Sequence, residues 1–77
     1  MPLGNPYERA RRLEKARALA RTIRECGGDA NGARQMSACD WGLAARAAKV
    51  NTPSEATKAE AVSILELAVQ VSERSMA

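Results

Sequence analysis

The chain contains no histidine and no phenylalanine, and Tyr7 and Trp41 are its only aromatic residues. Without an imidazole, neither of its two cysteines can be activated by the usual Cys–His pairing. Two thiols alone also cannot complete a four-coordinate zinc site from one chain. Two rings are too few for a platform on which successive bases of a single strand would stack. Long apolar runs are missing too. The most apolar stretch, residues 61–71, is broken by Ser63, Glu66 and Gln70, well short of the ~18 apolar residues a membrane span requires. No G-x-x-x-x-G-K-[ST] run is present to cradle nucleotide phosphates. The segment from Gly27 to Gly32 holds Asp29 and Asn31 but lacks the ligand order and closing Glu of an EF-hand, so it reads as a turn. No pattern brings Asp29 and Asp40 together as a catalytic carboxylate pair. We therefore expect no catalytic residue, no metal ion, no cofactor and no membrane partner.

What remains is a short chain rich in small side chains. Of 77 residues, 16 are Ala and 12 are Leu, Ile or Val. A buried Leu, Ile or Val contributes roughly 1.5–3 kcal/mol, an Ala methyl on the order of one CH₂. A core built this way is thin, and the chain is marginal unless its helices approach closely or it gains a partner. The first residues show no basic segment followed by an apolar one, so no secretory signal is read and a cytoplasmic location in a bacterial host cell is expected. In a reducing compartment Cys26 and Cys39 are expected as buried thiols rather than a disulfide. Nine Arg against three Lys beside 16 Ala is the usage of a GC-rich genome, common in bacteria and their phages.

The pattern predicts an all-α fold in one domain over residues 1–77: a small bundle of three main helices, about 6–26, 38–49 and 53–74, plus a short helix near 31–36. Asn5-Pro6-Tyr7-Glu8 places Asn at N-cap, Pro at the first helical position and Glu at N3. Leu13, Ala16, Leu19, Ala20, Ile23 and Cys26 then recur as one apolar stripe, and Gly27-Gly28 supplies the left-handed stop. In the short helix, Met36 is expected to face inward. Ser37-Ala38-Cys39-Asp40 reads as a capping box with Asp in place of Glu. The helix it opens buries Trp41, Ala44, Ala45 and Ala48 on one side, with Leu43 and Ala47 widening its apolar face. Gly42 within it signals either close backbone packing or a weaker first turn. Thr52-Pro53-Ser54-Glu55 repeats the device seen at Asn5, with Thr52 as the cap. The long helix that follows is apolar over more than a single stripe, so Val62, Leu65 and Val69 are candidates for an oligomer interface.

Charge is divided unevenly. Residues 1–49 carry ten basic and five acidic side chains, whereas residues 50–77 carry two basic and four acidic. The two parts attract, which favours packing the first helix antiparallel to or across the last. On the first helix Arg9, Arg11, Arg12, Arg17, Arg21 and Arg24 are the candidate partner-binding residues, and Arg17, Arg21 and Arg24 fall along one edge beside the apolar stripe. Arg pairs bidentately with carboxylate and with phosphate, so this ridge suits an acidic protein surface or nucleic acid. The competing reading is a solvated face laced by the pairs Glu8–Arg12, Glu14–Arg17 and Arg21–Glu25.

A second candidate is the corner at Ala45-Arg46-Ala47-Ala48-Lys49-Val50, which resembles the core of a DNA-binding helix-turn-helix. It departs from that pattern at Lys49, where the turn glycine belongs, and at Glu55, where the second helix should bury an apolar residue. A plain helical corner is the favoured reading. In size and composition, though in no motif, the chain resembles phage-encoded accessory proteins that occlude a host complex, anti-CRISPR proteins among them. That resemblance implies an inhibitor whose partner is a protein complex or ribonucleoprotein, met by Arg17, Arg21 and Arg24. The alternatives are a small dimeric DNA-binding regulator and a structural homo-oligomer joined through the C-terminal helix.

Overall fold

The computed structural model describes residues 6–76, and the side chains within them through residue 68. Asn5, the expected first cap, lies outside the described residues. The chain is all-α, with four helices and no strand among the described residues: α1 (Pro6–Glu25), α2 (Ala30–Arg34), α3 (Ala38–Ala48) and α4 (Glu55–Met76). The short second helix contributes to the core through Ala30 and Ala33, so the bundle is better described by four packed helices than by three.

Local chemistry sets the ends of these helices. α1 stops at Glu25, one residue earlier than expected. Gly27 adopts φ 83°, and its N–H donates to Arg24 O while Gly28 N–H donates to Ile23 O at 2.8 Å. This crossed pair is a Schellman motif, which satisfies carbonyls that the helix end would leave unpaired. Asp29 then caps α2, its Oδ1 accepting from Gly32 N–H at 2.7 Å. α2 therefore begins and ends before the expected 31–36, and Met36 follows it, partly buried against the core. The expected capping box at α3 is formed: Asp40 N–H donates to Ser37 Oγ, and Ser37 N–H donates to Asp40 Oδ2. α3 closes on a second crossed pair, Lys49 N–H to Arg46 O and Val50 N–H to Ala45 O. Here Lys49 takes the left-handed conformation at φ 60°, ψ 41°, a position usually given to glycine.

The start of α4 corrects the expected boundary. The helix opens at Glu55, and Ser54 is the cap in place of Thr52. Ser54 Oγ accepts from Thr57 N–H at 3.3 Å and exchanges a hydrogen bond with Thr57 Oγ1 at 3.1 Å. Ser54 thus makes both of its bonds to a residue three positions on. Pro53 thereby precedes the cap and is buried rather than leading the helix.

The core lies where α1 meets α3 and α4, and α2 closes it from the α4 side. Ala16, Leu19, Ala20 and Ile23 enter from α1, Trp41 and Ala45 from α3, and Ala61 and Leu65 from α4. Trp41 is 4% exposed and borders a cleft with Ala33, Met36 and Val62, so the one indole fills space that the surrounding alanines leave open. Leu65 is 2% exposed. It belongs to this chain's own interior, and the expectation that it forms an oligomer interface is withdrawn. Val62 is partly buried against the same core, and the side chain of Val69 lies outside the described residues. With a radius of gyration of 13.0 Å and extents of 43 × 28 × 19 Å, the molecule is longer than the ~11–12 Å radius of a compact chain of this length.

One further expectation, the burial of the cysteines, is corrected, and the two readings of Gly42 are reduced to one. Both cysteines are free and exposed: Cys26 lies past the last residue of α1, and Cys39 sits two positions from Trp41, on the opposite side of α3. Gly42 has open space around the position a Cβ would occupy, so close backbone packing does not explain it.

Candidate functional site

The arginines of α1 do not form one surface. At about 100° per residue, the buried positions Ala16, Leu19, Ala20 and Ile23 mark the inward direction: Arg11 and Lys15 fall on one flank of it, Arg17, Arg21 and Arg24 on the other, and Arg9 and Arg12 close to it in the exposed first turns. There Arg9, Arg11, Arg12 and Lys15 share an open groove of about 700 Å³ with Glu8, Ser54 and Thr57. These cations are largely engaged by the protein itself. Arg12 reaches across to α4, its Nε 3.4 Å from Glu60 Oε1. The Arg11 guanidinium lies 5.6 Å from the centre of the Tyr7 ring, within cation–π range. Arg9 also has a partner within the fold.

On the other flank Arg17, Arg21 and Arg24, with Ala20 and Glu25, form one wall of a groove of about 480 Å³ whose opposite wall is Ile64 of α4. All three arginines are exposed. Among the described residues, no carboxylate lies within ion-pair distance of any of them. The intrahelical pairs Glu8–Arg12, Glu14–Arg17 and Arg21–Glu25 that their spacing allowed are not made. One helical turn beyond Ile64, Leu67 is 58% exposed, and one turn before Arg17, Leu13 is 37% exposed.

The described acidic groups outside α1 are all in use. Asp29 and Asp40 cap helices, Glu55 pairs with Lys58, Glu60 with Arg12, and Glu66 with Arg34. Two of these pairs tie α4 to the basic part of the chain, the use of charge asymmetry that the sequence predicts. The contacts advance in the same sense along α1 and α4, with residues 8–15 beside Ser54 and Thr57 and residues 17–25 beside Ile64, so the packing is not antiparallel.

The corner between α3 and α4 keeps its plain character. Ala45 is buried and Val50 partly so, as in a helix-turn-helix core, but α4 begins only at Glu55, whose side chain is 93% exposed. A separate apolar recess of about 430 Å³ lies between α1, α2 and α3, with Leu43 and Ala47 on its border. Those two side chains are exposed rather than part of the core. Among the described residues no cluster of His, Cys, Asp or Glu has the makings of a metal site, and no helix is long and apolar enough to cross a membrane.

Sequence periodicity finds the Arg17–Arg21–Arg24 edge, but it does not find Ile64 beside it. Ile64 lies some 40 residues away in the chain and carries no pattern distinguishing it from the rest of the α4 apolar face. Comparison with family models, with curated proteins and with solved structures finds no match for this chain.

Proposed function

We propose that this protein works by binding a macromolecule, without catalysis, and that Arg17, Arg21 and Arg24 are the side chains that meet the partner. The observation that carries this reading is the ridge itself: three exposed guanidinium groups aligned on one edge of α1 with no carboxylate of the described residues within ion-pair distance, while the described carboxylates beyond α1 are engaged within the fold. Arginine in that state is matched to carboxylate or phosphate on another molecule. The partner is a protein complex or a ribonucleoprotein. The narrower form of the proposal, an accessory protein that occludes a host complex, comes from the resemblance in size and composition to phage-encoded inhibitors.

The test is a capture experiment from bacterial lysate with and without nuclease, using wild type and a variant with Arg17, Arg21 and Arg24 all replaced by Ala. The expected outcome is a partner that survives nuclease treatment and is lost with the triple variant. A partner retained unchanged by that variant overturns the proposal. A dimeric DNA-binding regulator predicts instead retention on duplex DNA with a steep salt dependence, about one logarithmic unit in affinity per neutralised phosphate. A structural oligomer predicts a concentration-independent assembly in light scattering.

A further inference from the structure

We infer that the groove between α1 and α4 receives an amphipathic, acidic helix of a protein partner; the inference rests on the ridge being the binding edge. Three observations converge on that occupant. Arg17, Arg21 and Arg24 rise through seven residues, about 10.5 Å or two turns, so they can face carboxylates placed at i, i+4 and i+7 along one edge of an opposing helix. Facing this charged wall is Ile64, and one turn further along the same helix Leu67 is exposed, so an apolar stripe adjoining the acidic edge would run along α4 and cover both. Ala20 on the groove wall keeps the approach close, and a cleft of about 480 Å³ is open enough to take side chains from one helical face.

A nucleic-acid backbone fits the same groove less well. It has no apolar stripe to cover Leu67, and its uniform negative charge meets Glu25 on the groove wall. A peptide helix can place a neutral or basic residue there. A second copy of this chain is also a poor occupant: the described carboxylates of its α4 are already paired with Lys58, Arg12 and Arg34, and Glu8, Glu14 and Glu25 of its α1 are outnumbered by that helix's own arginines and Lys15.

The proposal is tested by fluorescence anisotropy with two labelled synthetic peptides about 20 residues long, some 30 Å as helices. One places Glu along one edge and Leu along the next; the other has the same composition in scrambled order. A duplex DNA is the third probe. The ordered peptide is expected to bind at least about tenfold more tightly than the scrambled one and than the duplex. Binding should weaken by a similar factor both in the Arg17→Ala, Arg21→Ala, Arg24→Ala variant and in a Leu13→Ser, Leu67→Ser variant, with helical circular dichroism retained in each. Equal binding of the two peptides, tighter binding of the duplex, no binding of the ordered peptide near about a millimolar, or an unaltered leucine variant overturns the helix assignment. Failure of the underlying reading looks different: the arginine variant then binds every probe as wild type does.

Discussion

Arg12 and Glu60 join α1 to α4 at 3.4 Å, yet Arg12 Nε and Glu60 Oε2 are shielded from solvent with no hydrogen bond to either. The pair has the distance of a salt bridge without the alignment of a good one. Its partners remain 37% and 39% exposed, so solvent screens the attraction. A double-mutant cycle with Arg12→Ala and Glu60→Ala should give a coupling of only about 0–1 kcal/mol, read from urea unfolding. A coupling several times larger would mean that the contact organises the bundle rather than decorating it.

Gly42 and Gly28 should respond in opposite directions to the same change. Gly42 sits inside α3 with nothing within 4 Å of the place a methyl group would take, so Gly42→Ala gains helix propensity of about 1 kcal/mol. At this chain length that raises Tm by about 4–8 °C. At Gly28 a Cβ would come 2.7 Å from Ile23 Cγ2 and 3.1 Å from Ile23 O. The neighbouring carbonyl belongs to the Schellman turn and cannot yield without breaking it, so Gly28→Ala should lower Tm. Thermal melts of the two variants side by side check both signs.

Lys49 holds a left-handed conformation at the end of α3, which costs an L-residue roughly 1–2 kcal/mol. Lys49→Gly should relieve much of this and stabilise the protein by about 1 kcal/mol, offset in part by the greater freedom of glycine in the unfolded chain. A melt unchanged or lowered by the substitution would show that the Lys49 side chain contributes more than its backbone costs.

Leu65 is the largest aliphatic contribution of α4 to the interior, 2% exposed, and belongs to the same buried cluster as the α1 stripe. Leu65→Ala should cost about 2–5 kcal/mol, a large part of the stability available to a domain this size. The same substitution at Leu67 should be near neutral, since that side chain is 58% exposed. Chemical denaturation of the two variants separates an interior position from a surface one two residues away on the same helix.

Both thiols are exposed, so a disulfide-exchange reagent should titrate two equivalents from the native protein, as fast as from the unfolded chain. Slow or single-site labelling would contradict the placement of Cys26 beyond the end of α1 or of Cys39 on the outer face of α3.

How far the sequence can be read depends on whether a feature is local. The capping box at Ser37 and Asp40, the glycine stop after Glu25 and the inward stripe of α1 from Ala16 to Ile23 are built from residues within one or two turns of each other, and all three are legible, although Leu13, expected at the head of that stripe, is 37% exposed. The α4 boundary is not, because Thr52-Pro53-Ser54-Glu55 offers two nearby hydroxyls. The cap falls on Ser54, bonded to Thr57 three residues on, and Pro53 is left buried ahead of it. Cysteine's apolar ranking points Cys26 and Cys39 inward, but position on the helix outweighs residue type. The ridge of Arg17, Arg21 and Arg24 is visible as a periodicity. Its separation from Arg12, and the groove it shares with Ile64, depend on how α4 crosses α1, which no local pattern records.

α1 turns one face to the interior and another to solvent. Ala16, Leu19, Ala20 and Ile23 hold the bundle together from the same twenty-residue helix that displays the arginines. Any molecule seated against that edge and against Ile64 spans the joint between α1 and α4 and clamps it shut. Engagement would then register as heat resistance, growing with the logarithm of ligand excess over Kd, and a melting curve could screen for the occupant before its identity is known.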